Sequence, residues 1–320
     1  MKYAFIRQNR SVWPIRIQCR VLRVSVAGYH EHFARQRLIA QRRHLSKEAL
    51  SVHVRAVYQE QRGAYGWPRV WRELRAQGIR VGKQRVQRLM QSQGLRARGK
   101  KRFRVVTTDS KHGLPIAPNR LDRQFLVSVP NRVWVGDITY IGTDEGWLYL
   151  AVVVDLFSRR IVGWSLRSEM HAEIVTKALE MAWYGRSRGQ GQELMFHSDR
   201  GSQYASDEFR RTLSRFDIVP SMSRKGNCWD NACAETVFGS LKVERLAGQC
   251  FATRREAREE ALDWIHWYNH RRMHSTLNYL SPAQFEKHWE SSEQRQDCGK
   301  VEKQKPLSNF PTATTTTAGL

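Results

Sequence analysis

Residues 132–222 constrain the fold most strongly, because β-rich and helical segments follow one another there in a definite order. Three β-rich segments come first, joined by short turns: RVWVGDITYIG, WLYLAVVVDLFS and RRIVGWSLRS. Strands that are joined by short turns favour an antiparallel meander. A helix over about 171–184, the strand ELMFHS, a helix near 206–216 and the strand IVPSMS then follow. The order predicts an α/β fold, with a mixed five-stranded sheet and flanking helices.

Three acidic residues in and after this region form the candidate catalytic site. Asp137 lies inside the apolar strand VWVGDITYI, Asp199 follows the strand ELMFH, and Glu235 lies in a segment of helical composition. The intervals are 62 and 36 residues, so 35 residues separate the last two acids. Each acid, taken singly, has a structural explanation: Asp137 as the cap of a bulge, Asp199 as the first residue of a turn, and Glu235 as a solvated helix residue. Together they predict an all-oxygen site for two Mg²⁺ or Mn²⁺ ions and phosphoryl transfer.

The charge of the chain is distributed very unevenly. The net charge is +24, and residues 1–104 hold 26 Lys and Arg against 4 Asp and Glu. Residues 105–320 are almost neutral, with 28 basic and 26 acidic residues. A cationic region of this kind is typical of a protein that binds nucleic acid, because its side chains replace the counterions of the phosphates.

Two helices separated by glycine predict a helix-turn-helix in the cationic region. The first begins near Trp67–Pro68 and is ended by Gly78, and the second, GKQRVQRLMQSQG, is ended by Gly94. The apolar residues of the second helix share one face, which leaves its basic residues to project elsewhere. A similar pair of helices is expected in WPIRIQCRVLRVSVAGYHEHF, with a break near Val24–Ser25. The candidate DNA contacts are Lys83, Arg85 and Arg88, with Arg69 from the first helix.

The remaining segments define the expected domain limits. We expect a basic DNA-binding region in residues 1–95, a cationic linker in 96–125, the catalytic core with its C-terminal helices in 126–288 and a disordered tail in 289–320. The five cysteines include no C-x-x-C pair, which argues against a zinc site and a disulfide framework. No apolar run of membrane-spanning length or signal-peptide pattern is present, so we expect a cytoplasmic protein without membrane contact.

Several strings around the three acids resemble the DDE transposases and retroviral-type integrases, and specifically the downstream-frame product of the IS-three family of bacterial insertion sequences. These strings are VWVGDITYI, FSRRIVGWSL, HSDRGSQY, GNCWDNACAETVFGSLKVE and YNHRRMHSTLNYLSPAQF. The 35-residue gap is also that family's spacing. The resemblance covers about residues 10–288. It implies a ribonuclease H-like core in which Asp137, Asp199 and Glu235 are metal ligands.

Helical geometry adds two residues to the predicted site. At about 100° per residue, Lys242 and Asn231 lie on the same helix face as Glu235, so both are candidate DNA contacts. In the resembling family a lysine at this offset contacts phosphate, and we expect the same of Lys242. His197 allows two interpretations, since it is able either to orient substrate or to pack at the end of its strand.

The resemblance implies a DNA transposase that cleaves the ends of an insertion sequence and transfers the freed 3′-hydroxyl to another phosphodiester. It further implies binding of terminal inverted repeats and target DNA, action as a homo-oligomer, an association with the bacterial nucleoid, and a possible upstream-frame partner or frameshift fusion. No cofactor besides the metal ions is expected. Two alternatives remain: a ribonuclease H-like nuclease that only hydrolyses DNA, and a DNA-binding regulator with an inactive core.

Overall fold

A computed structural model gives the fold of the chain. The structure describes residues 2–37, 45–99, 112–186, 193–224 and 228–302. Two compact units are present, Met1–Ala97 and Arg98–Leu320. The division lies two residues beyond the expected limit of the basic region, residue 95.

The first unit is entirely helical in the residues described. Its helices are α1 (Lys2–Gln8), α2 (Ile15–Val21), α3 (Val26–Arg37), α4 (Lys47–Glu60), α5 (Trp67–Ala76) and α6 (Lys83–Ser92). Helices α2 and α3 are separated at residues 22–25, as the sequence predicts. Around α1, α2 and α3, the buried side chains of Ile6, Cys19 and Tyr29 form a small core.

Helices α5 and α6 form the predicted helix-turn-helix and pack together with α4. Pro68 lies in the first turn of α5. Gly78 and Gly94 both have positive φ, at 82° and 66°, and follow the ends of α5 and α6. Glycine suits these positions because a side chain is strained there. The indole Nε1 of Trp71 donates to the carbonyl of Val81 at 2.8 Å, which fixes the turn between the helices.

The second unit contains the predicted five-stranded sheet. Its strands are β1 (Val133–Thr143), β2 (Gly146–Asp155), β3 (Ile161–Arg167), β4 (Leu194–Ser198) and β5 (Ile218–Met222), in the order β3-β2-β1-β4-β5. The meander of β1, β2 and β3 is antiparallel. Strands β4 and β5 run parallel to β1. The mixed sheet expected from the sequence is thus confirmed.

Helices cover the sheet of the second unit. They are α7 (Glu173–Gly185), α8 (Ser202–Ala205), α9 (Asp207–Arg215), α10 (Ala232–Leu241), α11 (Arg254–His270) and α12 (Pro282–Glu302). A short helical turn, Cys228–Asn231, precedes α10, and a π-helical turn, Lys242–Leu246, follows it. The Thr253 hydroxyl accepts a hydrogen bond from the Glu256 amide at 3.2 Å. The sequence Thr253-x-x-Glu256 predicts a capping box at this position, and the hydrogen bond shows that Thr253 caps the start of α11.

The structure differs from the expected linker over residues 112–125. The Ser221 hydroxyl on β5 accepts hydrogen bonds from the amides of Arg120 and Leu121, at 2.9 and 3.3 Å. The Leu121 side chain is buried. Because its backbone amides find partners in the sheet, this segment belongs to the core; residues 100–111 of the expected linker lie outside the described residues.

The expectation of a disordered tail from residue 289 is wrong over residues 289–302. Helix α12 continues through Glu302. The aromatic ring of Trp289 contacts Phe157, with 5.6 Å between the centroids, so the helix still has a packing partner beyond residue 288. The final residues, 303–320, lie outside those described. In the described residues, no helix combines the length and apolar character that crossing a membrane requires.

The close packing of β3 against α7 depends on Gly163. A Cβ atom at this position would clash with the Ala178 carbonyl and would lie 2.8 Å from the backbone nitrogen of Ala182. We expect Gly163→Ala to lower the free energy of unfolding by about 3 kcal/mol, because backbone cannot move aside as a side chain does. Denaturant titration of the full chain measures this change. Gly185→Ala is the matched control, since no described atom lies within 4 Å of its Cβ position; an equal loss in both variants would contradict the prediction.

Candidate active site

Parallel pairing of β1 with β4 brings two of the predicted acids to one edge of the sheet. The register pairs Val133 with Met195 and Val135 with His197. Two residues further on come Asp137, within β1, and Asp199, directly after the end of β4. Aligned residues on adjacent parallel strands are neighbours, so the register directs both carboxylates to the same place.

Asp137 and Asp199 line one small cavity in the second unit. The other residues that line it are Ile138, Met170, Gly201, Gln203 and Tyr204. Asp199 also begins a turn, since its Oδ1 accepts a hydrogen bond from the Gly201 amide at 2.9 Å. Asp199 is able to hold this turn and also to face the cavity, because a carboxylate has two oxygens and it is Oδ1 that holds the turn.

Glu235 lies in the first turn of α10, and its side chain is exposed. It does not line the cavity that Asp137 and Asp199 share. Its charge nevertheless contributes to raising the pKa of Asp137, which shows that the two carboxylates are near each other. Across the described parts of the chain, no three His, Cys, Asp or Glu side chains are grouped closely enough to hold one metal ion. The structure therefore places Asp137 and Asp199 in one cavity and Glu235 outside it.

The pKa of the Asp137 carboxyl is raised well above its ordinary value. Burial is the largest cause, followed by the charge of Asp199; a smaller contribution comes from Glu235. The Ile138 amide, which donates to Oδ1 at 2.8 Å, and Lys242 act in the opposite direction. An enclosed carboxylate beside two others is unfavourable as an anion, and a nearby cation relieves that cost.

Lys242 lies at the junction of α10 and the π-helical turn. Burial lowers the pKa of its ammonium group, and the charge of Asp137 acts to raise it. The Nζ atom lies 5.4 Å from the centroid of the Tyr140 ring. A half-buried cation thus lies near Asp137, and its predicted contact with DNA stays a prediction.

Asn231 occupies a different place from the one predicted. Its side chain is only 5% exposed, and Nδ2 donates to the Gly136 carbonyl at 3.4 Å. An amide that is enclosed between α10 and β1 cannot reach DNA, so its interpretation as a DNA contact is wrong. The hydrogen bond instead connects the start of α10 to the residue before Asp137.

Asp230 fixes the helical turn that precedes α10, a role that the sequence did not reveal. Its carboxylate is 1% exposed and forms a two-pronged ion pair with Arg224, at 3.0 and 2.9 Å. Arg123 and Asn119 also donate to it, both at 3.0 Å. The hydrogen bonds from Arg224 are the largest cause of a pKa far below the ordinary value for Asp230. The residue lies in the quoted string GNCWDNACA, but its partners are distant in sequence and left no local signal.

The other end of α10 is held by a buried ion pair. Glu244, in the π-helical turn, accepts hydrogen bonds from Arg272 at 2.7 and 2.9 Å. The indole of Trp264 on α11 donates to the same carboxylate at 3.2 Å. Paired and hydrogen-bonded charges tolerate burial. This contact fixes the turn that contains Lys242 against α11.

His197 is packed between strands. Its side chain is fully buried, and its Nδ1 lies 2.9 Å from the Ser221 hydroxyl on β5. Burial lowers its pKa to about 4, so the imidazole is neutral at pH 7. Of the two interpretations that the sequence left open, the structure supports the packed strand-end histidine.

The basic candidates of the first unit lie on or near the helix-turn-helix. Lys83 and Arg88 are exposed on α6. Arg85 is half-buried, and its Nη2 donates to the Leu45 carbonyl at 2.9 Å. Arg69 on α5 lies over the Tyr65 ring, 5.4 Å from its centroid. Lys83 and Arg88 are therefore the exposed basic side chains of α6, whereas Arg85 also stabilises the fold.

Family models match most of the chain outside its first and last segments. A model described as "Integrase core domain" matches residues 128–228, and a second with the same description matches 217–282. An "HTH-like domain" model matches residues 46–103. A core of this kind, carrying acids at the carboxyl end of β4 and within β1, defines the integrase-type class of transposases.

Similar proteins, matched over most of their length, identify the family within that class. The chain is 42% identical over 287 residues to "Transposase InsF for insertion sequence IS3A" of Escherichia coli (strain K12), which covers 89% of this chain and 98% of the relative. It is 41% identical over 268 residues to "Insertion element IS600 uncharacterized 31 kDa protein" of Shigella sonnei, covering 83% and 96%. The chain belongs to the IS-three (IS3) family of DDE transposases. Its enzymatic function is DNA transposition, and its core has the ribonuclease H-like fold.

Matches among solved structures are more distant. A simian T-cell lymphotropic virus intasome, in complex with PP2A regulatory subunit B56 gamma, contains a chain that is 19% identical. The match covers 75% of this chain and 73% of that one, with a TM-score of 0.42. The catalytic domain of Mos1 transposase is 17% identical, covering 42% and 71%, with a TM-score of 0.38.

The ion pairs of Asp230 predict a pH-dependent contribution to stability. We expect Asp230→Asn to lower the free energy of unfolding by about 2 kcal/mol at pH 7, less than for a fully buried pair because Arg123 and Arg224 are about half exposed. A lowered folded-state pKa stabilises the fold above the unfolded pKa of about 4, and the contribution falls as the pH drops below it. The difference between variant and original chain should therefore shrink below about pH 4.

Denaturant titrations between pH 7 and pH 3, followed by tryptophan fluorescence, measure this difference. Glu169→Gln is the control, because Glu169 and its partner His171 are both exposed and their pair contributes little. A difference that stays constant down to pH 3 would show that the Asp230 charge does not stabilise the fold.

Proposed function

We propose that the transposase cleaves the ends of its insertion sequence and joins the freed 3′-hydroxyl to another phosphodiester, with Asp137, Asp199 and Glu235 as the catalytic acids. Water first breaks the bond between phosphorus and the 3′-oxygen. That 3′-oxygen then attacks a second phosphodiester and displaces its 3′-oxygen as the leaving group. The observation that carries the proposal is the β1–β4 register, which directs Asp137 and Asp199 into one cavity.

The chemistry of these donors fits a divalent metal ion. All three candidate ligands are carboxylates, and hard cations such as Mg²⁺ and Mn²⁺ prefer oxygen ligands. The raised pKa of Asp137 has its causes in burial and neighbouring carboxylates, a cost that a bound cation would offset. Glu235 is exposed, so its side chain is able to change rotamer and approach the other two acids. Bound there, two such ions would activate the attacking oxygen and stabilise the leaving one.

Other residues of the chain position the acids and the substrate. Asn231 and Asp230 fix the start of α10, and the pair of Glu244 with Arg272 fixes the turn after it. Between these points α10 presents Glu235 and Lys242. We propose that Lys242 contacts the phosphate at the cleaved end, where its positive charge compensates the negative charge of the phosphate.

We propose that residues 1–95 supply most of the DNA affinity, residues 126–288 the chemistry, and α6 the recognition of the terminal inverted repeats. The asymmetry of the charge supports this division, since 26 of the 54 basic residues lie in residues 1–104 together with only 4 acidic residues. Two ends and a target must be held in one reaction, so we propose a homo-oligomer that acts on bacterial chromosomal DNA in the cytoplasm. An upstream-frame product or a frameshift fusion is a further proposed partner.

Loss of any one acid should abolish both reactions. We expect Asp137→Asn, Asp199→Asn and Glu235→Gln to eliminate end cleavage and strand transfer while retaining DNA binding, because each removes a ligand charge and little basic surface. Assays with labelled end DNA and Mg²⁺ measure cleavage and joining separately. Glu259→Gln, on α11, removes an exposed acid that does not line the cavity and is expected to keep both activities.

Activity within about tenfold of the unmodified chain in any of the three variants would exclude that acid as a ligand. Cleavage without joining in the unmodified chain would instead indicate an enzyme that only hydrolyses.

The exposed basic residues of α6 should determine end recognition. We expect Lys83→Ala with Arg88→Ala to reduce the slope of log affinity against log salt by about two, because two phosphate contacts are lost. If these residues also reach base edges, discrimination between end and random DNA falls too. Binding titrations of the full chain at several salt concentrations measure both quantities.

The matched control is Lys177→Ala with Arg210→Ala, which removes two basic residues from helices of the second unit. An equal change of slope in both double variants would show that α6 is not the recognition element.

A further inference from the structure

A pair of aromatic residues, of which Trp147 is exposed, lies at the end of the β1–β2 hairpin. Trp147 is 52% exposed, and its ring meets Tyr140 edge to face, with 4.8 Å between the centroids and 79° between the planes. Gly142 pairs with Trp147 across the two strands, and a Cβ atom there would lie 3.4 Å from the indole. Glycine therefore lets the indole lie close to β1, while about half of the residue surface stays accessible.

The backbone around this pair is held by several contacts. The Thr143 hydroxyl donates to the Gly146 carbonyl at 2.7 Å. The amide of Arg254, at the start of α11, donates to the Glu145 carboxylate at 2.8 Å, and its Nε donates to the Trp147 carbonyl at 3.1 Å. A surface that is already ordered loses little conformational entropy when it binds a ligand.

A cation connects the aromatic pair to the candidate catalytic acids. Lys242 lies with Nζ 5.4 Å from the Tyr140 ring centroid, and the charges of Lys242 and Asp137 act on each other. Tyr140 follows Asp137 by three residues in β1, about 10 Å along the strand, and its side chain points to the opposite face of the sheet, so Lys242 is the residue that connects the two. The Tyr140 hydroxyl is buried and has no hydrogen-bond partner among the described residues. A half-exposed indole and a positive charge thus lie on the same side of the hairpin end, and the positive charge also acts on the candidate catalytic Asp137.

We propose that Trp147, Tyr140 and Lys242 bind an unpaired nucleotide of the substrate DNA beside the cleaved phosphate. The base stacks on the exposed face of Trp147, and the ammonium group of Lys242 contacts the backbone phosphate. Aromatic faces stack on any base, so the site requires an unpaired nucleotide and little sequence specificity. This inference rests on the proposed function, because the catalytic acids determine which DNA lies next to the pair.

Binding of an end with a short single-stranded overhang tests the site without catalysis. The probe is the terminal repeat of the element that encodes this chain, with single abasic sites placed in turn along the overhang, in EDTA. For the full chain, we expect loss of one particular base to weaken binding about tenfold. Trp147→Ala should bind the intact overhang about tenfold more weakly and be indifferent to that same abasic site.

Two further variants separate stacking from folding and from general surface effects. Trp147→Phe keeps an aromatic ring against Tyr140 and should retain part of the response to the abasic site. Tyr184→Ala removes an aromatic residue that is 74% exposed on α7, and it should behave like the unmodified chain. A Trp147→Ala variant that binds as tightly as the unmodified chain, or that still responds to every abasic site, would overturn the proposal.

The same samples distinguish two other outcomes. If Trp147 packs against a second copy of the chain, Trp147→Ala will reduce the sedimenting mass without DNA and leave the abasic response intact, which contradicts a nucleotide site.

The variant Asp137→Asn separates this inference from the proposed function. If that variant keeps activity but the abasic response still depends on Trp147, the assignment of the acid fails and the nucleotide site stands. If it loses activity and no abasic response exists, only the nucleotide site fails.

Discussion

The parallel pairing of β1 with β4 is the contact on which the candidate site depends. Because Val135 pairs with His197, Asp137 and Asp199 lie side by side two residues later. A slip of one residue would turn one of these carboxylates to the other face of the sheet, because side chains alternate along a strand. The buried aromatic residue of the same strand, Trp134 on β1 or Phe196 on β4, would turn with it. Packing of the hydrophobic core therefore fixes the register, and the register places the acids.

Features that depend on local sequence were predictable. Gly78 and Gly94 follow the ends of helices where a positive φ is required, and Thr253 starts α11 with the expected cap. The acids Asp137 and Asp199 were also identifiable, because a carboxylate at the centre or end of an apolar strand is uncommon. In these cases the signal lies within a few residues of the feature it predicts.

Features that depend on distant contacts were not predictable. Asn231 shares a helix face with Glu235, but helical geometry does not reveal that β1 covers it at Gly136. Residues 112–125 have a composition typical of a linker, yet the Ser221 hydroxyl, about a hundred residues away, pairs with two of their backbone amides. Trp289 extends α12 because Phe157 packs on it. Each error concerned a partner that only the folded chain brings near.

Contacts at the two ends of α10 add to the buried face of the helix, formed by Ala234, Val237, Phe238 and Leu241, in fixing its position. Ion pairs hold both ends: the buried Asp230 with the half-exposed Arg224 before the helix, and the buried pair of Glu244 with Arg272 after it. Each pair contributes limited net stability, because its desolvation offsets much of the attraction, but breaking one partner is costly. Pairs of this kind restrict the orientation of the helix more than they stabilise the fold. Glu235 and Lys242 project from the segment between them, so their backbone is fixed while their side chains remain able to respond to a cation and to a phosphate.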